Sequence, residues 1–115
     1  SSRKQLIQHY LKQSRFDEAQ LLLNNLNPNN AQNSYLHALY AQAIQDDTQF
    51  NHHAQRAFEQ ARLAGETRLS LDVALLLCGE SSTQINFDFY SQYITENASK
   101  YWRQNNKEKL LALNF

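Results

Sequence analysis

Two glycines and one proline in 115 residues leave this chain few places to turn sharply. A β-sandwich or barrel needs a turn about every 8–12 residues, built from Gly, Pro, Asn and Asp at fixed positions. A chain so poor in Gly and Pro is expected to be all-α, because a helix needs a breaker only at its ends. The length fits a single domain, 1–115, since two separate cores would each be too small to bury enough surface.

Apolar residues recur at helical spacing along the chain. In RKQLIQHYLKQS (3–14), Leu6, Ile7, Tyr10 and Leu11 fall on one stripe. After a break near Ser14–Arg15, FDEAQLLLNNL opens with Asp17 and Glu18, whose charge suits a helix N-terminus. Its apolar face is Phe16, Ala19, Leu22, Leu23 and Leu26. The run NPNNAQN ends it, because Pro28 cannot continue a helix and Asn favours caps and turns. SYLHALYAQAI predicts the next helix, with Ser34 as N-cap and Leu36, Leu39, Tyr40, Ala43 and Ile44 inward. A polar link, QDDTQ, leads to NHHAQRAFEQARLAG. There Ala54, Phe58 and Ala61 stand four and then three residues apart and so share one face. Ala lets a neighbouring helix approach, and Phe fills the space beyond it. Gly65 follows where a helix end favours a residue free to take positive φ.

Beyond it, ETRLSLDVALLLCGE predicts another helix with Leu69, Val73, Leu76 and Leu77 inward, closed by Gly79 and the polar GESSTQ. FDFYSQYITENASKYW is its predicted partner, with Phe87, Tyr90, Ile94 and Tyr101 on the buried side. KEKLLALNF is a short apolar helix suited to covering the last exposed face.

Ala19, Leu23 and Leu26 precede Ala54, Phe58 and Ala61 by 35 residues each, close to the tetratricopeptide period of about 34. AQRAFEQA resembles the Ala-x3-Phe-x2-Ala core of the second helix of a tetratricopeptide repeat. FDEAQLLLNNLNP resembles the same helix less closely, and Tyr10 matches the first helix's aromatic position. The resemblance covers residues 3–65. It departs from the family at Arg3 and Ile7, where Trp and Gly would stand, and the second unit lacks the final Pro. An unrelated bundle of helical hairpins would share the pattern. What the resemblance implies is an α-α superhelix of about three antiparallel helix hairpins with a C-terminal capping helix. Repeat 1 would span about 3–33 and repeat 2 about 34–65, with a divergent third pair and cap over 66–115.

The family usually binds a peptide or protein on a concave face, mainly through the first helix of each pair. Carried onto this sequence, the outward positions are Lys4, Gln8 and Lys12, then His37 and Ala41, then Arg68 and Asp72. Lys4 and Gln8 resemble half of a site that grips a C-terminal carboxylate. His37 and Ala41 do not supply the other half, so no such clamp is expected.

Eleven basic and eleven acidic side chains cancel, and no long basic run exists, so strong binding to nucleic acid or an anionic membrane is not expected. No apolar run reaches membrane-spanning length and no signal-peptide pattern opens the chain. The single Cys78, beside Leu75, Leu76 and Leu77, is expected to be buried and inert. That leans towards a reducing, cytoplasmic setting, although a disulfide-free periplasmic domain would look the same. The opening SSRKQ lacks Met and enters a helical pattern at once, as a piece excised from a longer protein would.

Candidate chemistry is sparse. His52 and His53 point about 100° apart on a helix and cannot share a metal as an i,i+4 pair would. Asp46–Asp47 and Asp17–Glu18 fit helix capping and solvation. Two glycines cannot supply a phosphate-cradling loop. No catalytic residue, metal or cofactor is predicted, and the chain is expected not to be an enzyme. Asn97-Ala98-Ser99 has the pattern of a glycosylation acceptor, which matters only in a glycosylating secretory route. Among the aromatic residues from Phe87 to Trp102, a core role competes with a surface patch of Phe89, Tyr93 and Trp102 facing a partner or a second copy. The expected function is a protein–protein interaction scaffold that binds a peptide or protein in a helical groove. The alternatives are a sensory or regulatory module of a larger transcriptional or membrane-associated protein, and a self-association domain forming a homodimer.

Overall fold

The computed structural model describes residues 2–114, and every regular element among them is a helix. These are α1 (Ser2–Lys12), α2 (Phe16–Leu23), α3 (Ala31–Ala43), α4 (Asp47–Leu63), α5 (Thr67–Gly79), α6 (Gln84–Asn97), α7 (Lys100–Asn105) and α8 (Lys107–Ala112). Phe115, the last residue of the predicted apolar tail, lies outside the described residues. Short connections fold α2 back on α1, α4 on α3 and α6 on α5, so the chain forms successive helix hairpins. First helices of neighbouring hairpins also touch, α1 with α3 and α3 with α5. This is sequential helix packing of the kind helical-repeat folds use.

Three of the connections share one turn. Ser14, Gln45 and Gly65 take φ of 58°, 61° and 72° after α1, α3 and α4. The following N–H groups of Arg15, Asp46 and Glu66 donate back to Tyr10, Ala41 and Ala61 carbonyls at 2.9, 2.9 and 2.8 Å. Each end is a Schellman motif, which satisfies helix carbonyls that would otherwise lack partners. Gly65 was expected there; Ser14 and Gln45 reach the same left-handed geometry despite carrying a Cβ.

The recurring seam faces inward. Ala19, Ala54 and Ala61 are fully buried, as nearly are Leu23 and Phe58, and Leu26 is half-buried. Phe58 meets Tyr93, Tyr90 and Phe89 edge-on, with ring centroids at 4.8, 5.3 and 6.2 Å. That edge-to-face arrangement suits the aromatic quadrupole. These contacts centre the larger of two cores, which runs from α3 to α8; the smaller gathers around Ile7, Leu23 and Leu36. Because α3, α4 and α6 all pack on α5, that helix is buried at Leu71, Val73, Ala74, Leu75, Leu77 and Cys78. Burial pushes the Cys78 thiol up to about 11.

Several boundaries differ from expectation. The third helix starts at Ala31, not at Ser34. Asn30 is its N-cap, its Oδ1 accepting from the Asn33 N–H at 2.8 Å. Ser34 is instead fully buried, its Oγ 2.6 Å from Gln60 Oε1 and 3.1 Å from the Pro28 carbonyl. The loop after α2 is thereby tied to α4. Leu6 and Ile44, expected inward, are each 40% exposed. The predicted helix over FDFYSQYITENASKYW breaks at extended Ala98, where Ser99 Oγ caps α7 by accepting from the Trp102 N–H at 3.1 Å. The break sets the phase that follows: Trp102 is buried and Tyr101 is 74% exposed, the reverse of the expected pairing.

Candidate functional site

A groove of about 780 Å³ runs between α3, α5 and the α7–α8 segment. Tyr35 and Gln42 reach it from α3 because residues seven apart share a helix face. Arg68, Leu71, Asp72, Leu75 and Leu76 line it from α5, and Tyr101, Trp102, Lys109 and Leu113 from the C-terminal helices. Leu71, Leu75 and Trp102 are buried and give it an apolar floor. Its mouth carries polar and charged groups.

Two hydrogen bonds between helices preform this site. Trp102 Nε1–H donates to Asp72 Oδ1 at 2.9 Å, fixing α7 against α5. Gln42 Nε2–H donates to Glu80 Oε1 at 2.9 Å, linking α3 to the residue that follows α5. The Tyr35 hydroxyl is held above its ordinary pKa by burial first and by the Asp72 carboxylate second. Arg68 and Lys109 are exposed, and neither belongs to an ion pair among the described residues, where the pairs are Arg15–Glu18 and Arg62–Glu59.

The residues predicted to meet a partner divide between two faces. Arg68 and Asp72 line the groove. Lys4, Gln8 and Lys12 follow one another along α1 outside it, with Lys4 Nζ donating to Gln32 Oε1 of α3 at 3.4 Å. His37 and Ala41 turn the other way. They are four residues apart on α3 and border a separate cavity of about 280 Å³ shared with α2 and α4. Ala41 is only 2% exposed, which corrects its outward assignment.

His37 Nε2–H donates to the Leu26 carbonyl at 2.7 Å, and its ring stacks on His53 with centroids 5.0 Å apart. His52 meets His53 edge-on at 5.1 Å. Burial, then the neighbouring His37, His52 and Arg56, hold the His53 pKa below its ordinary value, and its Nδ1 is buried without a partner. Among the described residues no group of three or more His, Cys, Asp or Glu side chains is placed to hold a metal ion.

The aromatic patch also divides. Phe89 is 57% exposed. Tyr93 is half-buried against Phe58, with its hydroxyl 2.8 Å from Ser70 Oγ, and Trp102 is core, so for these two the core role holds and the surface patch does not. Tyr35, Gln42, Lys109 and Leu113 were not anticipated. The helical wheel of α3 carried a signal for the first two, whereas the others depend on where α7–α8 folds back. Among the described residues no helix is long and apolar enough to cross a membrane. Compared with protein-family models, with curated proteins and with solved structures, the chain matches none.

Proposed function

We propose that this domain is a non-enzymatic, tetratricopeptide-like interaction module whose α3/α5/α7–α8 groove holds a segment of another polypeptide. The observation that carries this reading is the groove itself: an apolar floor with a polar rim, lined by the first helices of two successive hairpins. Its volume of about 780 Å³ falls within the range of ligand-binding clefts. The Asp72–Trp102 and Gln42–Glu80 bonds hold its walls in place before anything binds, so little ordering entropy is lost on association.

The test is to pan a random 12-residue peptide library on the protein and on Gly79→Trp. Gly79 lines the groove at the end of α5, and a Cβ there meets no atom within 4 Å. A side chain there starts in open space, so an indole adds bulk to the groove without changing its charge. Peptides should be enriched on the natural chain and lost on the filled one, with circular dichroism unchanged. Enrichment of none, or of peptides indifferent to Gly79→Trp, would reject the groove as the site.

A second reading, self-association, is favoured by Ile85 and Phe89. They lie four apart on α6 and are 80% and 57% exposed. Light scattering on the natural chain and on Ile85→Glu decides it: a dimer that the substitution dissolves supports it, and a monomer removes it.

A further inference from the structure

The groove's charge narrows what can lie in it. Its two exposed cations, Arg68 on α5 and Lys109 on α8, have no acidic partner among the described residues. Its acid, Asp72, and the neighbouring Glu80 keep their charge but are turned to neutral donors, the Trp102 indole and the Gln42 amide. Of the charged side chains on α7 and α8, Lys109 lines the groove, whereas Arg103 donates to the Thr95 carbonyl at 3.0 Å. Among the charged side chains that line the groove, the two cations thus outnumber the one acid, above a floor of Leu71 and Leu75.

We infer that the groove takes an acidic polypeptide segment, with an apolar side chain on the Leu71/Leu75 floor and side-chain carboxylates directed at Arg68 and Lys109. This rests on the groove reading given above. A polypeptide fits better than a nucleic acid. A nucleic-acid strand carries one phosphate charge per nucleotide and needs a row of cations along its path, whereas two line this groove. Successive bases also need several exposed faces on which to stack, and among the groove's aromatic side chains Tyr101 is exposed while the Trp102 indole is buried with its N–H engaged.

The experiment starts from the same panned library and reads composition. The enriched set should hold at least twice as many Asp and Glu as Lys and Arg. The most enriched peptide, resynthesised with acetylated and amidated ends, is then compared with its Glu→Gln and Glu→Lys versions by fluorescence anisotropy. The acidic version should bind tightest and the Lys version at least ten-fold weaker. Arg68→Gln and Lys109→Gln should each weaken the acidic peptide by roughly 2- to 5-fold. Lys12→Gln, on exposed α1 outside the groove, should change nothing. The advantage of the acidic peptide should shrink as salt rises.

Equal binding of the acidic and Gln versions overturns the charge assignment and leaves the groove standing. Binding only of peptides with a free terminal carboxylate also overturns the side-chain assignment. Tighter binding of a 12-nucleotide oligo-dT, lost in the same two variants, overturns it in favour of nucleic acid. A library that enriches nothing removes the groove reading with it.

Discussion

Replacing Phe58 by Ala tests whether the small-large-small seam organises the fold. Phe58 is 2% exposed and meets three aromatic rings of α6 edge-on, at 4.8, 5.3 and 6.2 Å. Emptying a fully buried Phe site costs about 3–5 kcal/mol, with the larger values where the surroundings cannot collapse. Collapse here is hindered from both sides, because α4 is already at close approach through Ala54, Ala57 and Ala61, all fully buried. A loss near 4 kcal/mol is thus a large share of a total on the order of 10 kcal/mol for a domain this size. It corresponds to roughly 10–25 °C in Tm. Phe58→Leu keeps most of the volume but loses the ring contacts, and should cost about 1–2 kcal/mol. Phe89→Ala, at a half-exposed ring on the same contact, should cost less than about 1 kcal/mol. Urea unfolding followed by the emission of the one tryptophan, Trp102, and by circular dichroism measures all three. If Phe58→Ala cost no more than Phe58→Leu, α6 would be free to repack and the seam would not fix its position.

Gly65→Ala isolates backbone strain, because φ is +72° and an added Cβ meets nothing within 4 Å; the loss should be about 1 kcal/mol by urea midpoint, and Gln45→Gly should gain a similar amount. Asp72→Ala leaves the buried Trp102 N–H without its acceptor and should cost about 1–3 kcal/mol with a red shift in emission, while Asp72→Asn keeps an oxygen there and should cost less. The His53 pKa is lowered in the fold, so below the unfolded value of about 6.5 the unfolded chain binds more protons and the native state loses stability as pH falls, until the folded pKa is passed. Urea midpoints at pH 7.5 and 5.5 should therefore fall less in His53→Asn than in the natural chain; an equal fall in both would show that His53 contributes nothing to the slope.

The hairpins and their seam were legible because Ala, Leu and Phe recur with the period of a helix, and a helix buries what that period aligns. Gly65 was legible because its freedom at positive φ marks a helix end. Ser14 and Gln45 were not, since nothing in either residue announces left-handed backbone; the Schellman bonds around them impose it. The start of α3 was misplaced because NPNNAQNS offers several side chains able to cap, and the choice fell to Asn30 once Ser34 was drawn into contact with Gln60. Of the outward positions carried over from the tetratricopeptide resemblance, Arg68 and Asp72 line the groove. Lys109 and Leu113 lay hidden because their position depends on the break at Ala98 and on a long-range bond from Trp102 to Asp72.

The abundant Asn and Gln now have a physical account. They lower the mean hydropathy to −0.68 without charging the chain, and they do much of the local work that Gly and Pro do elsewhere. Asn30 caps α3, and Asn33 Nδ2 donates to the Asn27 carbonyl at 2.9 Å across the same turn. Gln60 Nε2 donates to the Pro28 carbonyl at 3.3 Å, binding a loop to a helix of the next hairpin. Near the ends of α6 and α7, Asn97 and Asn106 Nδ2 donate to the Tyr93 and Trp102 carbonyls, each at 2.9 Å. An amide carries both donors and an acceptor, so one side chain satisfies whichever backbone group a helix end leaves open. That versatility lets a chain with almost no turn residues close its hairpins.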